Sequence, residues 1–377
     1  MAEMRTDINP EAPPPEPAFD IASIVKPEYI LKPGVYFDLD EDKYHASFGL
    51  SYSGIKSLRV SPYNWWVFSI LNPRRAQVLA QEESVAMTMG KAFDARIVSG
   101  KEFFYRRYAP AISHSDDQYK DSLRTTEDMR GWLEARGLPK SGRTKDDLVS
   151  RIIACDPRVR IWDVIEEGYR QIHAGKELLA WDLIEKIEIA ARMIESHPEL
   201  GKAFTGGAPQ VSVVWNCEKT GVLCKARFDY LKARVMVDLK TLQPRDDQPL
   251  ENQIGKEIGY RKYYIQSAHY LEAASYIPGF IKSGEVYGDA PAGLLDALVK
   301  HPAKEWLWIF QLKGPAPVAK GRLLRAESHI LQLGQIECDN GKHLFRACLD
   351  KYGAEPWLDP EPIRAMDEND IPAWSLL

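Results

Sequence analysis

Between residues 222 and 240 the chain reads VLCKARFDYLKARVMVDLK, and polar and apolar positions alternate through most of it. A period of two places Val222, Cys224, Ala226, Phe228 and Tyr230 on one face of a strand and Lys225, Arg227 and Asp229 on the other. After a short polar turn, Val235, Val237 and Leu239 form a second apolar face with Asp238 and Lys240 opposite. A hairpin in this register brings Asp229, Asp238 and Lys240 to one side of a sheet. Elsewhere the spacing shifts to three and four. It predicts helices over 51–70, over 87–97 with Asp94 turned inward and Gly90 allowing close backbone approach, over 161–196, over 255–276 and over 326–352. Residues 306–311 read as a further strand, and the tail with Trp357 as folding back on the core.

Residues 1–33 are rich in Pro and acid (NPEAPPPEPAFD) and predict a disordered leader. Residues 124–155 predict an inserted pair of helices, capped by Thr125 or Thr126 and by Thr144, around a minimal core of Met129, Trp132, Leu133, Leu138, Leu148 and Ile152. The main domain is then split into 34–123 and 156–377.

Composition narrows the class. A hydrophobic fraction of 45% with 27% charged residues suits a globular protein. No apolar run approaches the ~20 residues of a membrane helix, so no membrane and a cytoplasmic location are expected. The five cysteines are scattered, which argues against a disulfide framework, a zinc site or an iron–sulfur cluster. A net charge of −5 is unlike that of simple DNA coats. Residues 124–160 nevertheless carry nine Lys/Arg against six Asp/Glu.

Two carboxylates and a lysine in one pocket suit metal-assisted phosphodiester hydrolysis. Hard oxygen ligands hold Mg²⁺ or Mn²⁺, and an ammonium steadies the nucleophile or the charge growing on phosphate. Asp229 followed by Asp238-x-Lys240-Thr241 resembles the PD-(D/E)xK nuclease core. Gly259-Tyr260 and Gln266-Ser267-Ala268-x-Tyr270 resemble a helix of RecB-type nucleases. Tyr44-His45-Ala46, Leu50-Ser51-x-Ser53 and Ser61-Pro62 resemble the opening of the RecE (exonuclease VIII) branch found in phages and prophages. That resemblance spans about residues 35–355 and implies a mixed α/β restriction-endonuclease-like core. Two positions depart from the family: Asp94 stands where it has a metal-binding His, and Gln210 where it often has a Glu.

The resemblance implies Asp94, Asp229 and Asp238 as metal ligands with the Leu239 carbonyl, Lys240 positioning the nucleophile, and Gln266 and Tyr270 holding the strand. It also implies 5′→3′ digestion of linear duplex ends, a ring-shaped homo-oligomer and a single-strand annealing partner. The insertion resembles a SAP module through Arg136-Gly137-Leu138, Gly142, Lys145, Leu148 and Arg151, which makes Arg136, Arg143, Lys145 and Arg151 expected DNA contacts along with Arg227 and Ser53. Ser53 and Pro62 read equally well as a capping serine and a turn proline. Lys313 is a weaker candidate for substrate contact. With Asp94 and Gln210 substituted, a DNA-end-binding protein that no longer cuts, or an endonuclease on the same core, remains the alternative.

Overall fold

The computed structural model describes residues 20–371 except 80–84, 143, 244, 246–247, 314–316, 361–362, 364 and 367–369. Its centre is a seven-stranded mixed sheet built from β1 (Gly34–Tyr36), β4 (Gly207–Asn216), β5 (Leu223–Lys232), β6 (Val235–Leu242), β7 (Val286–Tyr287), β8 (Glu305–Leu312) and β9 (Ala319–Leu324). The order across the sheet is β7-β1-β4-β5-β6-β8-β9. Strand β6 runs parallel to β8, and β1 parallel to β7; the remaining pairs are antiparallel. Two further strands, β2 (Tyr108–Pro110) and β3 (Glu177–Leu179), form a separate parallel pair.

Helices cover both faces because the central strands are buried on both sides. On one face the Tyr263–Ser283 helix packs against His329–Tyr352, with Phe228, Trp306, Trp308 and Phe310 beneath. Gly334 makes this close crossing possible, since a Cβ there would collide with the Tyr264 carbonyl. On the other face Ala92, Phe93 and Ala95 of the Val85–Ile97 helix, with Ile184, Ile187 and Ile194 of Trp181–Ser196, cover Tyr230, Val237, Leu239 and Ile309. Arg96, 5% exposed, joins these two helices through Glu188 and Glu195 at 2.9 Å each. Trp357 folds back as expected and stacks on Trp65 with ring centroids 4.4 Å apart.

Several expectations need correction. Residues 20–33 are not a disordered extension: they form two short 3-10 turns, Ile21–Ser23 and Pro27–Tyr29, and bury Val25 and Leu31 in the main core. The rest of that leader, 1–19, lies outside the described residues. The helix expected over 255–276 is two helices, Leu250–Arg261 and Tyr263–Ser283, broken where Lys262 takes a left-handed backbone of φ +59°. Gly90 allows no close approach, because a Cβ there would meet open space. The single face assigned to β5 also fails at its end: Phe228 packs toward Tyr270, whereas Tyr230 joins the opposite core.

The insertion folds on its own small core. Helices Thr126–Glu134 and Lys145–Cys155 each begin with a capping box, Thr125 with Asp128 and Thr144 with Asp147. Met129, Leu133, Leu148, Ile152 and Ile161 close over one another, separate from the two larger clusters. Its two ends are clasped: the Leu123 amide donates to the Arg160 carbonyl and the Trp162 amide to the Leu123 carbonyl, both at 2.9 Å.

Candidate active site

The site arises where a hairpin comes apart. Strands β5 and β6 pair at Tyr230–Val237 and Leu231–Met236, next to the turn. Beyond that the ladder stops, and the Asp229 carboxylate takes the Leu239 backbone amide at 2.9 Å in place of a strand carbonyl. This splay opens a gap between adjacent strands and points Asp229 and Lys240 into a large cleft of about 1270 Å³, also lined by Asp94, Gln210, Arg227, Leu239, Tyr263 and Tyr270.

Asp238 lies at the back of this gap, fully buried. Its Oδ1 accepts from the Gln266 amide at 2.8 Å, and its Oδ2 is ion-paired with Lys240 Nζ at 2.5 Å. The Tyr263 ring lies 5.0 Å from the same ammonium, a cation–π contact that helps hold it at the pocket wall. Asp94 enters from the opposite face of the sheet on the Val85–Ile97 helix. Its Oδ2 accepts from the Gln210 side-chain amide at 2.8 Å. Gln210 in turn accepts from Arg227 Nε at 3.0 Å, and Arg227 also donates to the Leu39 carbonyl at 2.8 Å and to Ser212 at 3.2 Å.

The electrostatics follow from burial and crowding. Burial, then repulsion from Asp229 and Asp238, hold the Asp94 carboxyl well above the usual carboxylate range. Asp229 is raised by burial, with Lys240 opposing. Asp238 is pushed up to about 7 by burial and by Asp229, although Lys240 favours its charge. Burial works against the Lys240 ammonium, but Asp238 and Asp229 outweigh it and raise its pKa. Negative charge is thus crowded here with one close cation among the carboxylates. A hard divalent cation would relieve that crowding, and the donors are all oxygens. Among the described residues, however, no three acidic, His or Cys side chains stand together as a ready-made metal cluster. Asp94 is turned to Gln210 and Asp238 to Lys240 and Gln266, so binding a cation requires these side chains to exchange partners.

The expected residues divide clearly. Asp94, Asp229, Leu239 and Lys240 line one cleft, with Asp238 buried behind Lys240. Gln266 is buried and addresses Asp238, so it supports a carboxylate and does not reach into the cleft for a strand. Tyr270 touches the cleft but is mostly a core ring, with centroids 5.5 Å from Phe228 and 5.6 Å from Trp306. Arg227 lines the cleft and is bonded there to Gln210, Ser212 and the Leu39 carbonyl. Ser53 is exposed on the cleft rim beside Ser51, 2.9 Å away; the helix cap is Ser51.

In the insertion, Lys145 pairs with Asp163 at 2.6 Å, Arg151 braces the Pro139 and Ser141 carbonyls, and Arg136 stacks on Trp132 at 3.8 Å. These contacts engage all three in the module's own structure, and Arg143 lies outside the described residues. Lys313 is not among the residues lining the cleft. Tyr263 is not among the expected site residues; it faces Lys240 directly after the break at Lys262, which no glycine or proline marks in the sequence.

Comparisons with known proteins agree with this geometry. Residues 165–283 match the family model of a PDDEXK-like domain of unknown function (DUF3799), a span that holds β4, β5, β6 and the Tyr263–Ser283 helix. It includes Asp229, Asp238 and Lys240 and excludes Asp94 and the inserted module. No curated protein matches the chain. The crystal structure of a presumed exonuclease from Eubacterium rectale is similar over 82% of this chain and 86% of its own, with 14% identity and a TM-score of 0.41. No described helix is long and apolar enough to cross a membrane. The family match over residues 165–283 and the mixed sheet flanked by helices fit a restriction-endonuclease-like core.

Proposed function

We propose that the chain is a divalent-metal-dependent nuclease that digests linear double-stranded DNA from its ends, 5′→3′, leaving 3′ single strands for recombination. The observation that carries the reading is the meeting of Asp229, Asp238 and Lys240 where β5 and β6 part, at the wall of an open cleft. Asp229 and Asp238, with Asp94 and the Leu239 carbonyl, would hold Mg²⁺ or Mn²⁺. A bound cation supplies Lewis-acid activation of water and phosphodiester. Lys240, kept protonated by Asp238 and Asp229, is placed to steady negative charge growing on phosphate. Gln266 fixes the Asp238 carboxylate through its amide, and Gln210 does the same for Asp94. Polarity, 5′-phosphate products, a ring of subunits and an annealing partner rest on the resemblance to the RecE branch.

One observation favours a second reading, a DNA-end-binding protein that does not cut. The carboxylates are engaged by Gln210, Gln266 and Lys240 instead of converging on one point. Incubation of the protein with Mg²⁺ and either linear or covalently closed duplex separates the possibilities. Loss of linear DNA alone supports the exonuclease, loss of both an endonuclease, and binding without loss the inactive reading.

A further inference from the structure

Ser99 and Pro209 line the cleft. Both residues also line a second cavity of about 570 Å³, on the side of the Val85–Ile97 and Trp181–Ser196 helices. Its volume falls in the range of small-ligand sites, roughly 300–1,000 Å³. The charges around it are unevenly matched. Glu188 and Glu195 are both taken by the buried Arg96, which makes two bonds to Glu188 and one to Glu195, each 2.9 Å. Lys101 and Arg192 also line the cavity; both are exposed, and neither forms an ion pair or hydrogen bond among the described residues. Lys101 acts on Glu188 only through space. The charged residues lining the cavity are three cations and two carboxylates, a net of +1, and Lys101 and Arg192 are the two cations with no bonded partner among the described residues.

The wall opposite them is aromatic. Phe204 meets Tyr230 edge-on, with centroids 5.7 Å apart, and the Tyr230 hydroxyl is fixed by the Gly207 amide at 3.1 Å. The pair is rigid, since Tyr230 is anchored in β5, one residue from Asp229. A half-buried aromatic ring beside unpaired cations, in a cavity that shares Ser99 and Pro209 with the carboxylate cleft, suits a polymer whose bases stack and whose backbone is anionic.

We infer that this second cavity is a subsite for single-stranded DNA, taking nucleotides of the strand that runs past Ser99 and Pro209 from the carboxylate centre. The inference rests on the nuclease reading above. Lys101 and Arg192 hold backbone phosphates, and the half-buried Phe204 ring, backed by the buried Tyr230, offers the stacking surface.

Binding of fluorescent single-stranded oligonucleotides, followed by anisotropy in EDTA so that no cleavage intervenes, tests it on the full chain. Two lengths are compared, ~4 nucleotides and ~12 nucleotides, spanning the site sizes common for such grooves. Lys101→Glu/Arg192→Glu should weaken binding of the long oligonucleotide and leave the short one unchanged. The salt dependence for the long one should fall by about 1.4, or ~0.7 for each phosphate no longer held. Phe204→Leu should reproduce the length-selective loss without the change in salt slope. Equal affinity of wild type and charge-reversed protein for both lengths would overturn the subsite while leaving the nuclease reading intact. Failure of the wild type to bind the long oligonucleotide would also overturn the subsite, whereas the nuclease reading fails only if duplex is not cleaved with Mg²⁺.

Discussion

Gln210 reaches from β4 to Asp94 on the opposite helix, its amide nitrogen 2.8 Å from Asp94 Oδ2, while its own oxygen accepts from Arg227 at 3.0 Å. It does so from a backbone with φ +52°, a conformation that non-glycine residues rarely adopt. The geometry costs on the order of 1–2 kcal/mol, and it persists because the bonds at both ends of the side chain hold it. A neutral amide can donate to one carboxylate and accept from a guanidinium at once, which a second carboxylate at this place does only when protonated.

This arrangement separates stability from activity. Gln210→Gly removes the backbone strain and the bridge together, so chemical denaturation should show a smaller loss of stability than for Gln210→Ala, which keeps the strain and loses the bridge. The metal concentration needed for half-maximal cleavage should rise, on the order of ten- to a hundredfold, as for loss of a residue that orients a ligand. Loss of stability with unchanged metal dependence would mean that Gln210 only fills space.

Asp94 itself is tested by its replacements. If it ligates the cation, Asp94→Ala should raise the metal requirement or end cleavage. Asp94→His should restore part of the activity and favour Mn²⁺ over Mg²⁺, because imidazole suits the later, softer ion. Titrating both metals against cleavage rate decides this. Identical behaviour of the two variants would leave Asp229 and Asp238 as the carboxylates that matter.

The clasp between Leu123 and Arg160–Trp162 makes the inserted module separable. Replacing residues 124–160 with a short linker should preserve the nuclease centre, so cleavage at low salt and high protein concentration continues. DNA affinity and its salt dependence should both drop if the module holds phosphates. Unchanged affinity and slope would make it a spacer, a role consistent with Lys145, Arg151 and Arg136 bonding within the module and to Asp163.

His269 supplies a pH dependence. Complete burial lowers its pKa to about 3, and its Nε2 lies 3.2 Å from the Lys225 carbonyl. The folded state therefore refuses a proton that the unfolded chain accepts below its ordinary value of 6.5. Stability from this group is complete above pH 6.5 and is lost as pH falls toward 3. Urea midpoints measured between those limits should fall less steeply for His269→Gln than for wild type. Parallel curves would remove His269 from the acid response.

Much of this was legible in the chain. Alternation through 222–240 placed Asp229, Asp238 and Lys240 because strand geometry leaves few choices for a half-polar hairpin. The capping threonines of the insertion were equally readable, since Thr125 and Thr144 each precede an acidic residue three positions on. What escaped depended on tertiary contacts. The break at Lys262 carries no glycine or proline, so nothing local announced that Tyr263 would face Lys240. Residues 20–33 read with the Pro- and acid-rich leader, yet Val25 and Leu31 are buried and Ile21, Ile24 and Ile30 pack beside them, which docks the segment on the core. Arg136, Lys145 and Arg151 read as free cations because a sequence does not show which carbonyls and carboxylates they meet.

The central claim is that Asp238, held by Lys240 and Gln266, is part of a phosphodiester-cleaving centre. Its most direct test is the Mg²⁺-dependent rate of loss of linear duplex DNA for wild type and Asp238→Asn. The asparagine keeps an acceptor for Gln266 and nearly the same volume, so the fold and DNA affinity should survive. Wild type is expected to degrade the duplex, and Asp238→Asn, folded and still binding DNA, is expected to leave it intact. Digestion by Asp238→Asn at a rate near wild type would contradict it.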